Sequence, residues 1–528
     1  MQKLTKHKQI QCSVKVYRIL PRFYYKSQYL ALSLRIALHK LILDLKRFVR
    51  IWLFSFLNFL KTIGKLGACG MDNKRLIGLS VGLVILILVG VITFSSIIFE
   101  TQEPSLESSS IPTHWNLQDE IQIGFSDESG IRDYRVQVVF DNEILSDEKE
   151  VILNKPKSVK IPLPKPSTTL KNGTSIQYKI EVTDWSSSHF FTGNTAKVEL
   201  NLIVDTTPPE VTPIASSYQI TRGGSAVVAV EVKDMALEDV RLSNGTDEFA
   251  LFKYLDENIY IGIIAWPLKN KFFAAQLVAK DKAGNITKHN IPLVRNVNVP
   301  YYRSNIRIKE DFLSGKLDEL LSQIDKKHLR EFDNDIEKFA FFNEEIRGED
   351  EKRILKACSD LVGDKSFIDE GFHAFVPLRG SKVVGSFGDF RTYFLGKEKI
   401  SEATHLGIDV ASVKNAPVIA SNNAVVLLKS HLGLYGNTLL LYHGFGVSSI
   451  YAHLQESYVE VSDLVHIGQE IGKTGTTGWA FGDHLHFGIL IQGHFVRLSE
   501  WLDQKWIDDN VISVLSKARS FYQTRIVP

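Results

Sequence analysis

The chain has 528 residues, 44% of them hydrophobic, and a formal net charge of +2. That length exceeds what one core supports, so three or four domains are expected. The near-neutral total hides a split. Residues 1–75 hold sixteen of the 62 Lys and Arg and two of the 60 acidic residues, which leaves 46 basic against 58 acidic residues, a net of −12, over 76–528. A basic head on an acidic body indicates membrane topology and argues against a nucleic-acid partner. Cys12, Cys69 and Cys358 are the only cysteines, too few for a disulfide framework or a cysteine metal site.

Residues 76–99 (LIGLSVGLVILILVGVITFSSIIF) form a 24-residue run without a charge. A helix of that length covers roughly 36 Å at ~1.5 Å per residue, against a hydrocarbon layer of ~30 Å. Lys74 and Arg75 precede the run and Glu100 follows it. The basic side stays in the cytoplasm, so a single-pass inner-membrane protein with a periplasmic C-terminal body is expected. A cleaved signal peptide is the alternative, but this run exceeds the usual apolar length of ~7–15 residues and no clear small-x-small site follows. The basic segment 1–75 contains a second apolar patch, 51–60 (IWLFSFLNFL), too short to span. Either it lies at the membrane surface or translation begins at Met71, one of three methionines; a start at Met71 is the preferred reading.

A polar linker, 101–110, leads into alternating apolar and polar residues broken by turn signals, such as Asp127 to Gly130 and the Asn172–Gly173 pair. This predicts a β-sandwich over 111–206. Asp205-Thr-Thr-Pro-Pro209 is a stiff junction. A second stretch, 207–298, repeats the style with Val227 to Val232 and the turn Asp281-Lys-Ala-Gly-Asn285. The two stretches resemble immunoglobulin-like modules of bacterial surface proteins, which implies spacers or docking points for cell-envelope proteins. Residues 299–370 are charged, with apolar residues three to four apart at 309–321, 331–346 and 349–360. They predict a helical linker. Glycine-punctuated apolar strands follow over 371–502, and 503–528 reads as a C-terminal helix. The fold class is therefore multidomain and mainly β.

Eight of the fifteen histidines fall within 401–500. His405 and Asp409 flank Gly407 and Ile408, residues that suit extended or turning backbone. His484-Leu-His486-Phe487 predicts a strand with both imidazoles on one face, since residues i and i+2 share a side. His453 follows Tyr451-Ala and precedes Leu454. Two imidazoles and one carboxylate can hold a zinc ion and keep a position open for water, with two histidines left for proton transfer. The segment 472–478 (GKTGTTG) lacks the GK[ST] ending of a phosphate loop, so its glycines read as tight turns feeding the His-x-His strand.

In this order, His405-x3-Asp409, Tyr451-Ala-His453-Leu454, Gly475-Thr-Thr-Gly478 and His484-Leu-His486-Phe487 resemble the LytM/lysostaphin-type zinc metallopeptidases over about 375–500. The resemblance implies one Zn²⁺ held by His405, Asp409 and His486, with His453 and His484 as the catalytic pair. It also implies hydrolysis of peptide bonds in peptidoglycan stems or cross-links. Two departures stand out. Gly488 replaces an acidic residue common after the His-x-His strand, and no arginine stands just before His405, where Ala403 and Thr404 occur. The competing reading is a non-catalytic peptidoglycan-binding protein or activator of other cell-wall hydrolases. Loss of ligands would mark that decay, and all three are present.

Overall fold

A computed structural model describes residues 81–90, 100–107, 111–324, 330–359 and 366–526. Two compact units separate. One comprises Met1–Thr101 with Ser186–Thr192, the other Gln102–Trp185 with Gly193–Pro528. In the first, residues 81–90 are helical and Val81, Ile85, Leu86 and Leu88 are exposed. No helix among the described residues is long and apolar enough to cross a membrane. The rest of the run 76–99 and the segment 1–75 with Met71 lie outside them.

The second unit is mainly β. Its first module carries a five-stranded sheet with Ser175–Asp184 at the centre and a three-stranded sheet around Gln122–Ser126. Ile131–Phe140 alternates buried and partly exposed residues, the period-2 pattern of a strand covered on one face. Trp115, Phe125, Ile131, Ile161 and Tyr178 form a core of their own.

The second module joins seven strands in one ladder, from Ile286–Asn290 to Glu210–Ser216. Its strand Ser225–Lys233 is buried at every residue but the last. Two covered faces explain the near-continuous apolar run. The C-terminal helix Ser513–Ile526 packs across it, and the single acidic interruption, Glu231, meets Arg525 of that helix and Lys233. The apolar core then continues from this module into the C-terminal domain. Gln492 clamps the joint by accepting from Ala250 N (2.8 Å) and donating to Ala250 O (2.9 Å).

The stretch 299–370 opens with the strand Arg303–Ile308, which pairs in parallel with Phe390–Leu395. Helices follow at Leu317–Ser322 and Asp335–Ala340, and Arg347–Ser359 ends the series. Phe339 meets Trp479 edge-to-face and Phe342 meets it at a tilt, with ring centroids 5.2 and 5.5 Å apart. Asp350 accepts from Gly433 N (3.1 Å) and Leu434 N (2.7 Å). The segment is thus built into the wall of the C-terminal domain. That domain centres on an eight-stranded sheet in which Leu485–Ile491 lies between Ile408–Ala411 and Val447–Ala452.

Glu500 sits where the second module meets this domain. It is 7% exposed and accepts from Ser225 N at 3.0 Å, while Trp501 Nε1 donates to Ser225 Oγ at 3.1 Å. Burial pushes its carboxyl up to about 8, and the Ser225 hydrogen bond and the Arg497 charge offset only part of that. The native state therefore keeps a proton that the unfolded chain releases near 4.5. Stability contributed here is present below about pH 4.5 and lost as pH rises toward 8. Glu500→Gln should remove this loss. Thermal denaturation across that window should show the variant gaining on the wild type by on the order of 3 kcal/mol; parallel curves would contradict the buried, protonated carboxyl.

Candidate metal centre

Strand register assembles the site. Asp409 pairs with His486 across one ladder, and His486 pairs with Ala452, the neighbour of His453, across the next. His405 stands just before the Asp409 strand, where His405 N donates to Asp389 O and its own carbonyl accepts from Gly388 N. His405, His453 and His486 are buried.

His405 Nδ1 donates to Ser386 O at 2.8 Å, which leaves Nε2 with a lone pair. That nitrogen lies 3.0 Å from Asp409 Oδ1 and 3.1 Å from His486 Nδ1, and the last two atoms are 2.9 Å apart. Donors on a tetrahedral ion with bonds of about 2.0–2.1 Å sit roughly 3.3 Å from one another, so the three atoms fit one metal. The donor chemistry agrees, because converging lone pairs and a carboxylate repel unless a cation lies between them. His486 Nε2 is buried without a hydrogen-bond partner. It lies against Gly407, where a Cβ would come within 2.5 Å of it and 2.6 Å of Phe487 O.

His453 and His484 flank this triad, with ring centroids 4.8 Å apart. Each donates from Nδ1 to a backbone carbonyl at 2.8 Å, His453 to Thr477 and His484 to Gly482, which fixes both rings. His484 Nε2 is 3.7 Å from Asp409 Oδ1. His453 takes a left-handed backbone conformation with φ +60°, uncommon outside glycine. Its amide donates to Tyr435 O, which fixes the turn. Burial, then the charges of His484 and His486, pushes His453 down to about 3. Burial likewise pushes His486 down to about 4. Burial opposes the charge on Asp409, yet the charges and hydrogen bonds of His405 and His486 hold its carboxyl well below the usual carboxylate range.

All five residues singled out from the sequence line one cleft of about 380 Å³, walled by Ile306, Arg347, Tyr393, Tyr435, Trp479 and Phe481. His443 is fully buried away from it, bonded to Asn423 O (2.9 Å) and Ser449 Oγ (2.8 Å). Arg391 escaped the sequence reading. Its Nη2 reaches Asp409 Oδ2 at 3.4 Å and its Nε reaches Asp389 Oδ2 at 3.2 Å. Arg391 pairs with Ala403 across two strands, so the guanidinium expected just before His405 arrives from the neighbouring strand.

Two imidazoles and a carboxylate meeting at the floor of a cleft, with two further imidazoles alongside, form the donor set of a mononuclear metallohydrolase. Residues 403–498 match the model of peptidase family M23, and the C-terminal part of the chain is an M23 metallopeptidase domain. The DD-carboxypeptidase/endopeptidase Mpg of Neisseria meningitidis is 39% identical over 93 residues, 18% of this chain and 21% of that protein. The peptidoglycan DD-endopeptidase ShyA of Vibrio cholerae is 34% identical over 95 residues, 18% of this chain and 22% of that protein. The match spans about a fifth of the length of these relatives. The catalytic domain of the antimicrobial peptidase lysostaphin from Staphylococcus simulans superposes at 26% identity with a TM-score of 0.20, covering 23% of this chain and 92% of that one.

Gly407→Ala should displace the His486 ring and weaken divalent-metal affinity by at least about tenfold, the scale of a perturbed ligand shell. Metal content after dialysis against a graded chelator measures it, and wild-type retention would contradict the contact.

Proposed function

We propose that this protein is a zinc metalloendopeptidase that hydrolyses peptide bonds in peptidoglycan stem peptides or cross-links. We further propose that it is anchored in the inner membrane by residues 76–99, with its C-terminal domains in the periplasm. The observation that carries the activity is the convergence of His405 Nε2, Asp409 Oδ1 and His486 Nδ1 within 3.1 Å, beside His453 and His484. Zinc suits a borderline nitrogen and oxygen donor set of this kind. The matched relatives named as peptidoglycan endopeptidases support the substrate class. The uncharged run behind Lys74 and Arg75 supports the anchor.

Bound here, zinc would lower the pKa of a water toward ~7 and polarise the scissile carbonyl. The chain's own groups supply the rest. His453 and His484 point Nε2 toward the cleft, placed to orient the attacking water, accept its proton and pass it to the leaving amine. Once protonated, either imidazole also stabilises the developing oxyanion. Arg391 holds the far oxygen of Asp409 and so keeps Oδ1 turned to the metal. Trp479, Tyr393 and Phe481 offer apolar walls that narrow access of bulk water and position an extended peptide.

The full chain should release soluble peptides from murein sacculi in a chelator-sensitive manner. His486→Ala should lose zinc. His484→Ala should keep zinc and lose turnover by about 10²–10⁴-fold, the usual contribution of a proton-transfer group. Chelator-insensitive behaviour, or full zinc in His486→Ala, would overturn the assignment; sacculus binding without cleavage would favour the non-catalytic reading.

A further inference from the structure

The junction between the two β modules gathers three carboxylates that the peptidase chemistry does not use. Asp205 follows the last strand of the first module, Thr195–Val204. Asp234 follows Ser225–Lys233 and Asp281 ends Gln276–Asp281, both in the second module. One oxygen from each lies within 4.8 Å of the other two. Asp205 is 1% exposed and Asp281 0%.

Their hydrogen bonds leave the centre of the cluster uncompensated. Asp281 accepts from Asn285 N (2.8 Å) and Asn285 Nδ2 (2.7 Å). Asp234 accepts from Ala236 N at 2.7 Å. Asp205 Oδ1 takes a long bond from Thr207 N at 3.3 Å, but its Oδ2 is fully buried and has no hydrogen-bond partner. Among the described residues no ion pair to the three acids is formed, and the cation-capable group that faces Asp234 is His114 of the first module. Burial, together with the facing charges of Asp281 and Asp205, pushes the Asp234 carboxyl up against the pull of its Ala236 hydrogen bond and of His114 in the first module. Asp205 and Asp281 are buried and Asp234 is partly so; carboxylates this close repel, and a cation among them removes the repulsion.

We propose that Asp205, Asp234 and Asp281 bind a calcium ion that locks the two β modules together. The donors are all oxygen, which selects a hard cation, and calcium accepts irregular geometry and several carboxylates where magnesium demands a near-ideal octahedron. The surroundings are already close-fitting. Asn285 Nδ2 donates to Asp205 O at 2.8 Å, and Thr287 Oγ1 donates to Pro209 O at 2.6 Å, so the linker lies along the second module. A Cβ on Gly284 would stand 3.0 Å from Asp119 Oδ2 of the first module. An ion held by the linker acid and by two acids of the second module would stiffen this joint at its base. Because the second module shares its core with the peptidase domain, the first module's orientation would then be set relative to the cleft.

The test uses the full chain with its zinc content monitored, stripped of calcium by a calcium-selective chelator and then titrated with calcium chloride. The thermal midpoint of the wild type should rise by several degrees, increasing with calcium concentration as binding to the folded state alone requires. Asp205→Asn and Asp234→Asn should abolish the rise without changing zinc content. In chelator, Asp234→Asn should melt above the wild type, because a repelling charge is gone, and in calcium below it. That reversal of order would not arise from an aspartate whose role is only structural. A wild type indifferent to millimolar calcium, variants that respond like the wild type, or equal stabilisation by equimolar magnesium would overturn the proposal.

Discussion

The cleft depends on one pair of β-ladder registers. Asp409 faces His486 on one side, and His486 faces Ala452 on the other. A slip of one residue would turn every side chain to the opposite face. Leu485 and Phe487 would then enter the cleft, and His484 and His486 would be driven into the apolar layer. The register is pinned by that layer: Phe487, Ile489, Ile491 and Tyr451 are fully buried, and Tyr451 packs on Phe487 at 5.2 Å. Hydrophobic packing on the far face thus sets the position of lone pairs on the near face.

Electrostatics then acts on groups whose positions packing has already fixed. Carbonyl acceptors at Ser386, Thr477 and Gly482 hold the Nδ1 protons of His405, His453 and His484. Each of these imidazoles therefore turns Nε2 inward without needing the metal to orient it. Burial keeps His453 uncharged at neutral pH. A site preset in this way loses little in reorganisation when a cation arrives.

The short motifs were legible because each places its chemistry within a few residues of chain: His405 with Asp409, His484 with His486, and His453 beside its tyrosine. The strand expected for His-x-His and the glycine turns ahead of it follow from period-2 spacing and from Gly475 and Gly478. The alternation in Tyr134 to Phe140 likewise points to a strand, and the structure extends it to Ile131–Phe140. What stayed hidden was contributed through tertiary pairing. Arg391 reaches Asp409 only because its strand lies beside the one carrying Ala403. Arg347 and Ile306 reach the cleft from a stretch whose charged helical pattern does not say whether it packs over the cleft or only spaces it. His494 packs on Phe249 of the second module at 5.2 Å, a contact no local pattern encodes. The shared core was equally hidden, since a strand buried on both faces looks the same whether a helix or another domain covers it.

The two carboxylate clusters show how one residue type serves different ends. At the cleft a single aspartate is joined by imidazoles, and the resulting set suits an ion that takes nitrogen and oxygen at short, tetrahedral distances. At the module junction three aspartates meet without nitrogen, and only an ion content with oxygens suits them. The neighbours decide in each case. His405 and His486 bring nitrogen donors, and not further carboxylates, to Asp409. At the junction, Asn285 satisfies Asp281 and leaves Asp205 to face the other acids. A carboxylate cluster that no cation filled would weaken the joint between the modules. With a cation it becomes the stiffest point of the joint, so the arm outside the cleft gains its rigidity from the same aspartates that would otherwise push it apart.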